Sequence, residues 1–309
     1  MKLTLAINNC FAVKRWPRPD EWAQIVTHDL GLRTMQHSLD LSDLDSALET
    51  GAEEVSRACA KAGLTIHSVF TGLIAYSTNL LLAPERAERD RAVGYWSRAI
   101  RFASMVGAGA FGGHVGSLSR SDADDPIRRE ALWRELQEHL GQLSGLARRC
   151  ALDALLVENM ACNREPCTMP EVSSLMSGAD RDHAAVALCL DIGHQCVPGT
   201  RGDEADPYAW LRTLGREARV IHLHQSDARG DHHWPFTSEY NARGRIQGPQ
   251  VLEALAASGA TEATLILEVI PSFEAEDRQV LADLKESVAY WQDAVRDFEQ
   301  ARPRGGNAA

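Results

Sequence analysis

Three apolar runs in the second half of the chain end in a carboxylate: LLVE closes on Glu158, LCLD on Asp191 and LILE on Glu268. A fourth run, VIHLH, closes on His224. Burying an ionised carboxylate at the end of an apolar strand is costly unless something compensates its charge. No Lys or Arg ends another strand to pair with them, so a bound cation is the simplest compensation. The steps between these residues are 33 from Glu158 to Asp191, 33 from Asp191 to His224 and 44 from His224 to Glu268. Each step is one strand-plus-helix unit. Two Glu, one Asp and one His form a hard, mostly oxygen donor set with one imidazole, suited to Mn²⁺, Mg²⁺ or Co²⁺ better than to a thiolate-bound metal. The expectation is one divalent ion, Mn²⁺ ahead of Mg²⁺ or Co²⁺, on Glu158, Asp191, His224 and Glu268. His222 shares the parity of His224, so both point the same way. Its expected place is one layer lower, as a supporting residue.

The elements that must position these residues are legible as short β-type runs alternating with longer amphipathic stretches. Strands are expected at Leu3–Asn9, Leu32–His37, Leu64–Phe70, Ala110–Val115, Ala154–Glu158, Ala185–Asp191, Arg219–Gln225 and Thr264–Glu268. Helices are expected near Asp20–Leu30, Glu53–Ala62, Pro84–Val106, Pro126–Cys150, Pro170–Ser177, Pro207–Leu214, Pro249–Ala257 and Asp277–Gln300, several with Pro in the first turn. Eight strands each followed by a helix predict an α/β fold, a (β/α)₈ TIM barrel, as a single domain over residues 1–300. A doubly wound sheet is the alternative, weakened by the lack of a Gly-rich phosphate turn after the first strand. The stretch 301–309 has no apolar period and is expected to be a disordered tail. A barrel of this kind carries its active site at the C-terminal ends of the strands. His67 and His114 are placed near the ends of the third and fourth strands and are expected on the substrate side, the alternative being a packed core histidine.

At these strand ends the sequence resembles the xylose-isomerase-like superfamily of sugar phosphate isomerases and epimerases, particularly its D-tagatose/D-allulose 3-epimerase-like branch. The matching elements are V-E-N (Val157–Asn159), L-D-I-G-H (Leu190–His194), H-L-H-Q-S-D (His222–Asp227) and L-E-V (Leu267–Val269), in order, with the resemblance running from about Leu3 to about Tyr290. It implies one divalent metal on Glu158, Asp191, His224 and Glu268, and substrate hydroxyls on His194. It also implies a small-molecule carbohydrate substrate and a homo-oligomer, a dimer or tetramer. One departure stands out: the branch carries an Arg six residues after the ligand His, where this chain has Gly230, with Arg229 beside it. The loop that follows holds Trp234 and Phe236 as bulk.

The chemistry so implied is that of an isomerase, of the ketose 3-epimerase or aldose–ketose isomerase type, moving a proton through a metal-bound enediolate. Glu158 and Glu268, three strands apart in an eight-strand ring, are expected as the catalytic pair that serves opposite faces. His194 and Arg229 would hold hydroxyls, and the Trp234 loop would exclude water. Lys14 and Arg15, with Arg229, are expected to decide whether the substrate carries a phosphate; Arg164, Arg201, Arg243 and Arg245 also fall on loops above the mouth. Two alternatives use the same barrel: a C-glycoside deglycosidase-type lyase subunit acting on 3-keto-glycosides, and a non-catalytic sugar-binding barrel.

Composition excludes other classes. The charge of −11, from 32 Lys+Arg and 43 Asp+Glu, does not suit a phosphodiester-binding surface, so no nucleic-acid partner is expected. An endonuclease of the same fold would also need further metal ligands at the strand ends, which the sequence does not offer there. No apolar run reaches 18 residues, and MKLTLAINNC reads as a strand rather than a signal peptide, so a cytoplasmic protein with no membrane partner is expected. Seven scattered cysteines without a C-x-x-C pair read as reduced thiols. None of the four lysines ends a strand, which leaves a Schiff-base mechanism without a residue, and no G-x-S-x-G elbow supports a Ser nucleophile.

Overall fold

The computed structural model describes residues 1–40, 43–44 and 48–301. Eight parallel strands close into a barrel in chain order. They are β1 (Lys2–Asn8), β2 (Thr34–Leu39), β3 (Thr65–Thr71), β4 (Ala110–Gly113), β5 (Ala154–Glu158), β6 (Ala185–Asp191), β7 (Ala218–Leu223) and β8 (Glu262–Leu267). Closure comes from β8 lying back along β1, from Lys2 opposite Glu262 to Ile7 opposite Leu267. The chain is thus a (β/α)₈ barrel. Outside it run α1 (Pro19–Gln24), α2 (Leu48–Ala62), α3 (Arg86–Met105), α4 (Arg120–Asp124), α5 (Pro126–Arg149), α6 (Met169–Leu175), α7 (Pro207–Leu214), α8 (Ser238–Arg243), α9 (Gly248–Ala257) and α10 (Asp277–Ala301). Of the stretch read as a tail, Ala301 closes α10, and residues 302–309 lie outside the described residues.

Proline stands in the first turn of α1, α5, α6, α7 and α9, where a missing N–H leaves no bond unmade. Two helices sit in stretches read as loop. The short helices α4 and α8 are each started by a local cap, Ser119 accepting from the Asp122 N–H and Thr237 from the Tyr240 N–H. One turn and a half is too little for an apolar period to show. The expected helix at Asp20–Leu30 is α1 followed by a wider π-type turn over Ile25–Asp29. No helix among the described residues is long and apolar enough to cross a membrane.

Parity along each strand aims the site residues. Side chains alternate between the barrel axis and the helical layer. The inward column of β5 is Ala154, Leu156 and then Glu158; that of β6 is Ala185, Ala187, Cys189 and then Asp191. Val220 is followed by His222, Ile266 by Glu268 and Ala6 by Asn8. Alanines, Leu156, Val220, Ile266 and the buried ring of Phe70 fill the barrel beneath, so the carboxylates meet in the layer above them. The loop after β3 is tied down by Arg89 of α3. This buried guanidinium donates to the carbonyls of Ala83 (2.7 Å) and Pro84 (2.9 Å) and pairs with Glu135 at 2.9 Å.

Candidate active site

The top layer brings Glu158, Asp191, His222 and Glu268 together, with one donor atom from each lying within 4.8 Å of the others. All four are at most 6% exposed. Hydrogen bonds fix how the imidazole is turned. The Cys10 N–H donates to Asn8 Oδ1 (2.8 Å), which aims Asn8 Nδ2 at Gln36 Oε1 (2.7 Å) and leaves the Gln36 amide nitrogen for Ser68 (3.1 Å). Gln36 Oε1 is therefore the acceptor 2.8 Å from His222 Nε2, so that nitrogen carries the proton. His222 Nδ1 is left 3.2 Å from Glu158 Oε1 and 3.1 Å from Glu268 Oε2.

Glu158 is held from the other side by Tyr76, on the turn after β3, whose hydroxyl donates to Oε2 at 2.6 Å. Burial, and then the nearby Glu158 and Glu268 charges, push the Tyr76 hydroxyl well above its ordinary value and keep it a donor. Burial alone would raise Glu268, but the charge of the neighbouring His222 ring outweighs it and holds Glu268 below the usual carboxylate value.

His224 forms a second group with His194, Asp231 and His233. Its Nε2 lies 3.1 Å from Asp191 Oδ1, and its ring stacks on His233 with centroids 3.8 Å apart. Asp191 also accepts from the backbone N–H groups of Gly193 (2.8 Å) and His194 (3.0 Å). His194 is buried, with Nδ1 donating to the Asn159 carbonyl at 2.8 Å and Nε2 lying 3.2 Å from Asp231 Oδ2. Burial opposes a proton on this ring, yet Asp191 and Asp231 prevail and raise it well above an ordinary histidine.

Asp231 and His233 come from the loop after β7. Gln225 and Trp234 exchange backbone hydrogen bonds at 2.8 and 3.0 Å, so the segment between them leaves the barrel and returns to it. Phe236 anchors the return, fully buried against Tyr290 and Trp291. At its tip Asp231 faces His194 through one oxygen and His233 Nε2, at 3.2 Å, through the other.

These positions correct several expectations. His67 lies at the opposite end of the barrel, third residue of β3, beside Thr264 (3.3 Å) and above a cavity lined by Lys2, Arg216 and Arg219. His114 is buried behind the site, stacked on Tyr76, with burial and then Arg164 lowering it to about 3. Arg229 is exposed and lies outside the cavity lining. Trp234 faces away, stacked on His232 at 3.9 Å with Arg243 over its ring. Further metal-capable donors do exist beyond the strand ends: Asp231 and His233, whose only trace in the sequence is a D-x-H in a loop. Tyr76 left no signal, since one Tyr on a turn looks like local packing.

Several features fit a divalent cation. Three buried carboxylates converge with no Lys or Arg among them, and Glu268 Oε2 and Asp231 Oδ1 are buried without a hydrogen bond. Imidazole nitrogens stand 3.1 and 3.2 Å from those two oxygens, but off the line of a hydrogen bond. Gly193 leaves room for the close approach: a Cβ there would stand 2.0 Å from His224 Cε1. Gly193→Ala is therefore expected to displace His224 or the turn that holds Asp191. A fall in kcat/KM of about 10²-fold, with weaker metal retention on elemental analysis, is the expected result; unchanged values in both would contradict this packing.

Barrel and site together define a (β/α)₈ enzyme with convergent carboxylates and imidazoles at the C-terminal strand ends. The chain belongs to the xylose isomerase-like TIM barrel family, whose model matches residues 26–293. It is an enzyme of the isomerase class, of epimerase type. It is 31% identical over 305 residues to the D-erythrulose 1-phosphate 3-epimerase of Brucella abortus (strain 2308), covering 94% of this chain and 96% of that one. A crystal structure of a Rhodospirillum rubrum protein assigned as a xylose isomerase is 32% identical, with a TM-score of 0.85 over 94% of this chain and 99% of the other. D-Psicose 3-epimerase of Clostridium cellulolyticum H10, bound to D-tagatose, shares the fold at 16% identity, with a TM-score of 0.70 and coverage of 94% and 99%.

Proposed function

We propose that this chain is a divalent-metal-dependent 3-epimerase of a short ketose phosphate, with Mn²⁺ as its metal. The observation that carries this is the placement of Glu158 and Glu268 on β5 and just past β8, both turned to one point beneath a cavity of about 160 Å³. The identity of 31% to an enzyme named for a ketotetrose phosphate supports the substrate class. Glu158, Asp191 and Glu268 would hold the metal, with His224 as the imidazole ligand that the sequence resemblance implies and His222, level with Asp191, set between Glu158 and Glu268. A cation there would polarise the ketose carbonyl and the hydroxyl beside it, which lowers the barrier to removing the neighbouring proton.

The remaining work falls to this chain's own groups. Glu268, kept ionised by His222, takes the C3 proton from one face of the sugar. Glu158, entering the cycle protonated and bonded to Tyr76, gives its proton to the other face, which leaves Glu268 protonated and Glu158 charged, the state that serves the opposite epimer. His194, locked by Asn159 and Asp231, orients hydroxyls. The loop between Gln225 and Trp234 shields the reacting carbon from bulk water.

The test is incubation of the Mn²⁺-loaded protein with erythrulose 1-phosphate, pentulose phosphates and free ketoses in D₂O. One deuterium should enter at C3 with inversion. Label at C1, or a β-elimination product from a 3-keto-glycoside, would replace this reading with an isomerase or a lyase.

A further inference from the structure

Resting on that sugar-phosphate reading, we propose that Arg164 grips the substrate's phosphate. The cavity above the carboxylates is lined by Leu73 and Ile270 together with polar groups, and Arg164 is the one permanently charged cation among its lining residues. The loop that presents it is fixed at both ends. Met160 N–H donates to the Pro166 carbonyl at 2.6 Å, and the buried carboxylate of Glu165 accepts from the Leu118 N–H at 2.8 Å. Beyond its base, Asn159 bonds the backbone of Asp191 in both directions, at 2.8 and 2.9 Å. A guanidinium on so constrained a loop is held in place before an anion arrives.

Its present partner is a weak one. Arg164 Nη2 stands 3.4 Å from Asp231 Oδ2, and the side chain remains 31% exposed. Asp231 does not depend on it, since His194 and His233 both stand at 3.2 Å. An incoming phosphate, with two or more oxygens to offer the planar fork, can take Arg164 from Asp231 without leaving a buried charge unpaired. The hydroxyls of Ser38 and Thr71 line the same cavity.

The three basic residues expected to meet a phosphate lie outside this cavity. Arg15 is bonded to Asp277 and to the Ser272 carbonyl. Lys14 lies over the ring of Phe273 at 5.0 Å. Arg229 is exposed and off the cavity. The phosphate role expected of Lys14, Arg15 and Arg229 therefore passes to a residue on the other side of the barrel.

The measurement is the ratio of kcat/KM for a ketotetrose 1-phosphate to that for the free ketotetrose, in the wild type and in Arg164→Gln, Arg164→Lys and Lys14→Ala. Arg164→Gln should lower the ratio by about 10- to 100-fold, the worth of one or two charge-assisted hydrogen bonds. Arg164→Lys should recover part of it, and Lys14→Ala should leave the ratio in place. Inorganic phosphate binding, followed by calorimetry, should weaken in parallel in Arg164→Gln. Equal losses on both sugars, or a ratio that follows Lys14, would overturn the proposal. A wild type inert on every ketose would remove the epimerase reading, while equal phosphate affinity in wild type and Arg164→Gln would remove the role of Arg164 alone.

Discussion

Glu158→Gln and Glu268→Gln are each expected to lower turnover by on the order of 10²- to 10⁴-fold while keeping metal bound. Glutamine preserves size and one metal-binding oxygen but cannot accept a proton from carbon. The two variants should then differ in solvent exchange. Each removes the base for one face, so wash-in of deuterium from one C3 epimer should stop while the other still exchanges slowly. The surroundings sharpen this contrast: Glu158 receives the Tyr76 hydroxyl at 2.6 Å, whereas Glu268 has Asn8 at 3.4 Å and the His233 ring at 3.6 Å. Full activity in either variant would reject two-base transfer. Loss of metal together with activity would assign that carboxylate to ligation instead.

Stripping the metal is expected to abolish turnover and lower the melting temperature by roughly 10 °C. A ligand bound only by the folded state, at about 1,000 times its Kd, adds about 4 kcal/mol, and each kcal/mol moves Tm by about 2–4 °C in a chain somewhat smaller than this. The direction follows from the site: without a cation, three buried carboxylates converge with no Lys or Arg among them, held apart only by neighbouring imidazole rings, the Tyr76 hydroxyl and backbone N–H groups. Mn²⁺ should restore both properties, and melts with Mg²⁺ and Co²⁺ alongside would rank the metals. His224→Ala should lose the ion, and His222→Ala should retain it with lower affinity. The reverse outcome would make His222 the ligand, and no shift on chelation or on adding Mn²⁺ would sink the metal assignment.

The barrel and the inward aim of its carboxylates were legible in the sequence because both follow from local rules. A strand reverses face at every residue, so an apolar run that ends in Glu158, Asp191 or Glu268 declares where that group points, and the 33-residue steps declare successive βα units. Where such rules stop, the sequence misplaces residues. His67 lies within an apolar run, but β3 continues to Thr71, and four residues at about 3.3 Å each set it roughly 13 Å below the mouth. Loops follow no such period. The Gln225–Trp234 bonds and the burial of Phe236 carry Asp231 and His233 inward and leave Trp234 and Arg229 outside. The ties of Glu165 to Leu118 and of Arg89 to Ala83 and Pro84 do the same for the loops bearing Arg164 and Tyr76. By itself the sequence determined the fold, the carboxylates and the layer in which they meet, since these depend on neighbours along one chain segment. The imidazole that faces each carboxylate and the cation that lines the cavity were decided only by tertiary structure, because contacts between residues far apart in the chain set the course of a loop.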